Sequence, residues 1–484
     1  MYSPNDPNIL WVAPHGKTAG NGSFEEPFGR IRDALSRARP GFTVVLKEGT
    51  YPGDTTIQCS GSIDMPIRIA SAEESKAIIL GGCWYLYDVS DLIVSGLLFR
   101  DAPHGAISVM GACERNRFDH IRFENCGRLP AASGTLFFGG SGAACNVVEF
   151  CDFTRSALSI GQGKAPGTMN VGLMVSEGDL QEGRPITNII VRRNRFANYD
   201  YGILAGTQDN AANQYGHRIE YNVIDNCASE GIMVKCGDTL VKGNVVTNCP
   251  EHAISVATGE GSIVSDNRIV DCGLGIRVAG RGHTVSNNCI IRSCAESILI
   301  AEKNGDEGLA TENIIVENNT CVGWSRNNWG ACAGIGIEPA TSAIVKSNLF
   351  FGDGDPCKCT GPHAGIAGHL IADNARAGAA GCEGVVEVRV NFVSLAGDNF
   401  ATDSVYGASG WMCGPEAFDP DLEASQDLPQ PDLNNEPPQD DESASLESNC
   451  DSEEVLEKSL LFRNKEQTDS FDLSDSYSFE NAED

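Results

Sequence analysis

Three charged side chains in the middle of the chain have the types and spacing of a site that acts on an acidic sugar. Glu230 and Lys235 lie in the segment SEGIMVK, and Arg277 lies in the later segment GLGIRV. Elimination from a uronic acid needs a cation or basic group on the carboxylate and a base for the neighbouring C–H. Lys235 and Arg277 are therefore the candidate catalytic pair. The plainer interpretation is that Lys235 only solubilises a strand face.

These residues lie in a repeat of about 22 residues, a period typical of solenoid proteins. Each period holds short runs in which apolar and polar residues alternate, which predicts strands, and it leaves no room for a helix between them. The repeat predicts an all-β fold, a right-handed parallel β-helix. Its copies are YNVIDNC, GNVVTNC, DNRIVDC and NNCIIRSC.

Two residue types recur once per coil, and stacking predicts a structural role for both. The asparagines should form a ladder of side-chain amides that bond from coil to coil. The cysteines should pack as small buried hydrophobes, which favours a reducing compartment. The asparagines are Asn222, Asn244, Asn267 and Asn288, and the cysteines are Cys227, Cys249, Cys272 and Cys294.

The ends of the chain differ from this repeat. An N-terminal strand and a cap helix are predicted for residues 1–41. The helix is predicted over Glu26–Arg39, because apolar residues recur there at helical spacing. The β-helix is predicted over 42–413, with its first strand at Thr43–Leu46 and a turn directly after it at residues 48–51. Residues 414–484 are rich in Pro, Asp, Glu and Ser, which predicts a disordered acidic tail.

The net charge of the chain restricts the classes of binding partner. The formal net charge is −31 over 484 residues, with 20 acidic and 3 basic residues in 421–484. An acidic body without a basic stripe argues against nucleic acid. Residues 1–10 show no signal peptide, which favours a cytoplasmic location, and no apolar run approaches the roughly 20 residues of a membrane helix. The oligomeric state stays open.

Alternation predicts which residues share an outward face. If Ile232 and Val234 face the core, then Met233 and Lys235 face outward. The same register in the other coils gives a column of mostly small residues around Lys235, which is a plausible groove floor for a chain-like ligand. That column is Ser176, Gly206, Lys235, Ala257, Ala279, Ala301 and Glu338.

The segment Trp11–Tyr51 resembles the opening of right-handed parallel β-helix proteins of the pectate-lyase-like superfamily, and the Asn-x-hydrophobic repeat extends that resemblance over most of 11–413. The resemblance implies the fold. It does not choose among the lyases, hydrolases, epimerases and adhesins that share it.

Residues Ser229–Lys235 and Gly273–Asn288 resemble the polysaccharide lyase family that contains chondroitinase B and alginate lyases. The resemblance implies that Glu230 is one ligand of a Ca²⁺ ion and that Lys235 is the base. Two positions depart from the family pattern, since Ala228 replaces the second acid and Ala257 replaces the catalytic arginine. Arg277 is implied as a substrate contact.

Five further residues are predicted to bind substrate. Loops beside the sheet should supply the walls of the predicted groove. His283 falls on a position of the lyase family, although a histidine at a coil turn is commonly structural. These residues are Trp324, Arg326, Trp329, Arg281 and His283.

Two functions follow. The first is a carbohydrate-active enzyme that cleaves an acidic polysaccharide by β-elimination. The second is a non-catalytic β-helix that binds glycans or serves as a surface or structural protein, which Ala228 and Ala257 favour.

Overall fold

A computed structural model describes most of the coiled part of the chain, with side chains as far as Cys357. The described residues belong to one compact unit, Met1–Phe418, and the second unit, Asp419–Asp484, lies outside them. The described ranges are 2–17, 20–127, 134–140, 142–156, 169–176, 184–206, 214–301, 311–324, 333–338, 342–352, 355–359, 370–372, 374–377 and 385–388.

The described part contains one short helix, α1 (Ile31–Leu35), and many short strands. The first strands are β1 (Ile9–Lys17), β2 (Thr43–Leu46), β3 (Gly49–Pro52), β4 (Thr55–Ile57), β5 (Ile67–Ser71), β6 (Ala77–Leu80), β7 (Trp84–Tyr87), β8 (Leu92–Ser95), β9 (Leu98–Arg100), β10 (Ile107–Met110), β11 (Arg117–Asp119), β12 (Arg122–Glu124), β13 (Leu136–Gly139) and β14 (Val147–Glu149). The next are β15 (Asp152–Thr154), β16 (Val171–Val175), β17 (Ile186–Thr187), β18 (Ile190–Arg192), β19 (Arg195–Ala197), β20 (Tyr201–Ala205), β21 (Gln214–Tyr215), β22 (Arg218–Glu220), β23 (Val223–Asp225), β24 (Glu230–Val234), β25 (Leu240–Lys242), β26 (Val245–Thr247), β27 (His252–Val256) and β28 (Ile263–Ser265). The last are β29 (Arg268–Val270), β30 (Leu274–Val278), β31 (Thr284–Ser286), β32 (Cys289–Ile291), β33 (Ile298–Ile300), β34 (Ile314–Glu317), β35 (Thr320–Val322), β36 (Ala333–Ile337), β37 (Ala343–Lys346), β38 (Leu349–Phe351), β39 (Asp355–Cys359), β40 (Leu370–Ala372), β41 (Asn374–Ala377) and β42 (Val385–Val388).

Successive coils stack into three long parallel sheets. Sheet A has 14 strands from β1 to β40, sheet B has 14 from β3 to β42, and sheet C has 12 from β4 to β39. A typical coil places one strand in each sheet, as β22, β23 and β24 do. The predicted parallel β-helix is confirmed.

The core is a stack of inward side chains, one layer per coil. In sheet B the rings of Phe99, Phe123, Phe153 and Phe196 stack with centroids 5.5, 4.4 and 4.5 Å apart. All four are buried. Offset aromatic pairs of this kind contribute about 1 kcal/mol each beyond their buried area.

The predicted asparagine ladder is confirmed at the turn between sheets A and B. The Oδ1 of Asn244 accepts the backbone N–H of Asn222 at 2.9 Å, and its Nδ2 donates to the carbonyl of Ile219 at 2.9 Å. Both asparagines are fully buried. The same contacts continue through Asn194, Asn267, Asn288, Asn319 and Asn348.

The cysteine column is confirmed as a stack of free thiols at three of its four predicted members. Cys227, Cys249 and Cys272 are buried, whereas Cys294 is half-buried. The reducing compartment inferred from them stays a prediction.

The N-terminal cap differs from its prediction in length. The helix spans Ile31–Leu35 and buries Ile31, Ala34 and Leu35, while Phe28 reaches the core from the extended segment before it. The first strand at Thr43–Leu46 is confirmed. The turn predicted at residues 48–51 is wrong, because Gly49–Pro52 pairs with β6 as a strand of sheet B.

No helix in the described ranges has the length and apolarity to cross a membrane. The predicted acidic tail, the end of the β-helix near residue 413 and the domain boundary there lie outside the described residues and stay predictions.

Candidate functional site

The outward face of sheet C carries the predicted columns. Strand register aligns Leu204 with Met233, Met233 with Ser255, and Ser255 with Arg277. Leu299 then follows Arg277. Ile232 and Val234 are fully buried on the opposite side. The predicted placement of Lys235 and Arg277 on one face is therefore confirmed, although their roles stay predictions.

Lys235 lies directly after β24 and is half-buried. Its backbone N–H donates to the carbonyl of Ala205 at 2.7 Å, which holds the residue in register with the coil before. That coil places Gly206 beside it, with φ +92°, and an added Cβ there would lie 2.7 Å from the Lys235 carbonyl. Only glycine fits at this position, because both the space and the backbone conformation exclude a side chain.

The floor around Lys235 is less open than predicted. Ala257 is half-exposed, but Ala279 and Ala301 are 0 % and 1 % exposed. A methyl group is short enough to be covered by the residues of neighbouring coils. The accessible members of this column are therefore Lys235, Ala257 and, at its far end, Glu338.

Arg277 lies in the middle of β30, half-buried and two coils beyond Met233. Its guanidinium forms no ion pair with another described residue, unlike most arginines on sheets A and B. From coil and strand spacing, its Cα should lie roughly 12 Å from that of Lys235. Two long side chains can reach one sugar unit across that distance.

Glu230 reaches the same face because the alternation of β24 is interrupted. Gly231 and Ile232 both face the core: an added Cβ at Gly231 would lie 2.6 Å from Val246 Cγ1, and Ile232 is fully buried. Because Gly231 and Ile232 both face inward, the alternation shifts by one residue and Glu230, which precedes them, faces outward. Glu230 is aligned there with Tyr201 of the previous coil.

Glu230 is paired with a residue that sequence reasoning missed. The Nδ1 of His252, at the start of β27, lies 3.0 Å from Glu230 Oε1. On the other side, burial and the charge of Glu230 raise the pKa of Tyr201 to about 12. The Ser229 hydroxyl donates to Glu251. The repeat itself contained the signal, because His252 follows Glu230 by one 22-residue period.

These donors do not fit the Ca²⁺ ion that the resemblance implied. Calcium takes six to eight oxygen ligands, usually from several carboxylates. Here Glu230 is the carboxylate that faces the site, Ala228 supplies no side-chain oxygen, and an imidazole nitrogen occupies the neighbouring position. Within the described residues, no three His, Cys, Asp or Glu side chains converge on one point.

Two predicted substrate contacts are wrong because their side chains are buried. Trp324 is 4 % exposed and packs edge-on against Phe350, with ring centroids 6.0 Å apart. His283 is 0 % exposed, and its Nδ1 accepts the backbone N–H of Ser262 at 3.0 Å. Burial lowers its pKa to about 4. His283 is therefore structural.

A third predicted contact, Arg281, is not part of a strand of sheet C. Arg281 lies in the turn after β30, and its Nε is 2.7 Å from Glu312 Oε1. Its role in substrate binding stays a prediction. Arg326 and Trp329 lie outside the described residues.

Comparison with known proteins agrees with this architecture. The family model described as "Right handed beta helix region" matches residues 184–368. The curated "Uncharacterized protein YwoF" of Bacillus subtilis is 30 % identical over 104 residues, which are 19 % of this chain and 22 % of that protein. The match thus spans about a fifth of the relative.

Two similar solved structures are enzymes by their titles. The PL6 family alginate lyase AlyGC is 18 % identical with a TM-score of 0.65, covering 84 % of this chain and 58 % of that chain. A mannuronic acid specific family 6 lyase from human gut microbiota is 18 % identical with a TM-score of 0.56, covering 78 % and 90 %. This chain thus spans less than two thirds of AlyGC. At these identities the likeness concerns the fold, and the fold is a right-handed parallel β-helix.

Proposed function

We propose that the protein is a carbohydrate-active enzyme that cleaves an acidic polysaccharide by β-elimination on the outward face of sheet C. The observation that carries the proposal is the arrangement of Lys235 and Arg277. They occupy neighbouring columns two coils apart, and the Arg277 guanidinium has no ion-pair partner among the described residues. The similarity to two polysaccharide lyases supports the same class.

Each residue would have a distinct task. Arg277 would bind the carboxylate of a uronic acid unit and stabilise the negative charge that develops there, because guanidinium matches a carboxylate with two parallel hydrogen bonds. Lys235, as the neutral amine, would remove the proton on the carbon beside that carboxylate. The electron pair then forms the C=C bond, the glycosidic C–O bond breaks, and the proton on Lys235 passes to the leaving oxygen.

The test is the ultraviolet absorbance of the unsaturated uronic acid that elimination produces. Alginate, chondroitin, dermatan and pectate are incubated with the wild-type protein and with Lys235→Ala. We expect product from at least one polymer, and a rate at least about 100-fold lower in the variant, as is typical when a general base is lost. The control is Lys242→Ala, which removes a lysine on sheet A that lies 3.7 Å from Asp266.

A second function is favoured by Ala257 and Ala228, where the resemblance to the lyase family implies a catalytic arginine and a second acid. It is glycan binding without cleavage. Binding of an acidic oligosaccharide with no product from any polymer would support this function over the first. Equal product formation by the wild type and Lys235→Ala would remove Lys235 from the mechanism.

A further inference from the structure

Glu230 and His252 form a hydrogen-bonded pair at the start of two neighbouring strands of sheet C. Register aligns Ile232 with Ile254, so the residues two positions earlier lie side by side on adjoining coils. The side chain of Glu230 is 6 % exposed and that of His252 is 28 % exposed. The carboxylate is thus largely withdrawn from water, while the ring keeps one edge accessible.

A buried carboxylate is costly unless a charge or hydrogen bonds compensate it. One oxygen of Glu230 has the contact to His252, and the other, Oε2, has no hydrogen-bond partner among the described residues. Glu251, which precedes His252 in the sequence, accepts a hydrogen bond from Ser229. His252 is therefore the one described side chain that compensates Glu230.

The ring geometry leaves one atom for a ligand. We assign the hydrogen in this contact to Nδ1 of His252, which then donates to the Glu230 carboxylate. Nε2 is then the ring atom available to a molecule on the sheet face. The pair begins the strands that carry Ser255 and lead to Lys235, so a sugar chain that crosses the face along these strands passes His252 before it reaches Lys235.

We propose that His252 takes the place of a divalent cation beside Glu230, so that this face binds an acidic sugar without a metal ion. His252 holds the Glu230 carboxylate in position through Nδ1 and presents Nε2 to the ligand. The inference takes the ligand, an acidic sugar, from the proposed function. The absence of a metal requirement does not depend on that function, because it concerns only Glu230 and His252.

Thermal unfolding with Ca²⁺ and with EDTA tests the proposal without any substrate. We expect the Tm of the wild type to be the same in both, and calorimetric titration with Ca²⁺ to show no binding. His252→Asp places a second carboxylate beside Glu230, and two unpaired buried acids repel each other until a cation binds. This variant should therefore gain a saturable, Ca²⁺-dependent rise in Tm. His252→Asn is the matched control, with similar size and no charge, and should show no rise.

A wild-type protein that loses Tm in EDTA and regains it with Ca²⁺ would overturn the proposal. The wild-type measurement decides the question even if His252→Asp fails to fold. A protein that ignores Ca²⁺ but cleaves no polymer would contradict the proposed function and leave this inference standing. If product forms, its rate should be unchanged by EDTA.

Discussion

At the scale of single residues, Arg277 stands out because no carboxylate of a described residue pairs with it. Arg115, Arg192 and Arg292 each pair with a carboxylate at 2.7–2.8 Å, whereas Arg277 has no such partner among the described residues. A half-buried guanidinium without a counter-ion among the described residues is the feature on which the proposed binding of an acidic sugar depends. Its removal should therefore affect ligand affinity more than folding.

Replacing Arg277 tests that expectation directly. Arg277→Ala should weaken binding of an acidic oligosaccharide roughly 10- to 100-fold, the value of one charge-assisted contact. Arg277→Lys should recover part of the loss, because it keeps the charge but not the two-pronged geometry. Calorimetric titration measures both. Arg195→Ala, which removes an exposed arginine of sheet B, is the control. An unchanged affinity in Arg277→Ala would place the ligand elsewhere.

At the scale of elements, the asparagine turns add hydrogen bonds between coils to those of the strand ladders. Strands of three to five residues contribute few hydrogen bonds each, and from Asn194 to Asn348 a buried asparagine amide at each turn between sheets A and B adds bonds between coils. The Asn244 amide bonds to Asn222 and Ile219 of the preceding coil and to Asn267 of the following coil. The side chain is completely buried, so water cannot replace the lost contacts.

Asn244→Ala should therefore destabilise the protein strongly. Loss of the amide leaves the N–H of Asn222 buried and unpaired and removes one hydrogen bond from the carbonyl of Ile219, each at a cost of about 1–3 kcal/mol. We expect the free energy of unfolding to fall by about 2–5 kcal/mol in denaturant titration. Asn5→Ala, at an exposed position near the N-terminus, should change it little. Equal effects of the two substitutions would contradict the ladder's role.

At the scale of the whole molecule, two buried neutral histidines make stability depend on pH. His217 and His283 lie in one column at the turn between sheets C and A, where each accepts a backbone N–H through Nδ1. Burial lowers the pKa of both to about 4 from the ordinary 6.5. Between these values the unfolded chain binds protons that the folded chain does not. Stability is therefore fully present above pH 6.5 and falls as the pH drops toward 4.

The double variant His217→Asn, His283→Asn should flatten this dependence. Asparagine already occupies the same column at Asn116 and Asn146, where its Oδ1 accepts the equivalent N–H. Each histidine contributes at most about 3 kcal/mol of the loss. Denaturant titration at pH 7 and pH 4.5 should show a smaller difference for the variant than for the wild type. An identical difference would assign the acid sensitivity to carboxylates instead.

Much of this architecture is predictable from the sequence, because residues one repeat apart become neighbours in adjacent coils of a solenoid. The 22-residue spacing of the asparagines predicted the ladder, and alternation around Ile232 and Val234 predicted that Met233 and Lys235 share an outward face. The same period placed Arg277 one column away. The basic side chains of Lys235 and Arg277 then led to the proposal of an acidic ligand.

Only the tertiary structure decided which outward residues are buried by neighbouring coils and which of them contact one another. Alternation cannot show that Gly231 and Ile232 both face the core, and this local shift brings Glu230 against His252. Nor can it show that Trp324 and His283 are enclosed, because burial depends on the coils and turns stacked over a residue. A repeat determines a residue's neighbours along the stack through backbone geometry, while exposure is determined by the packing of the assembled coils.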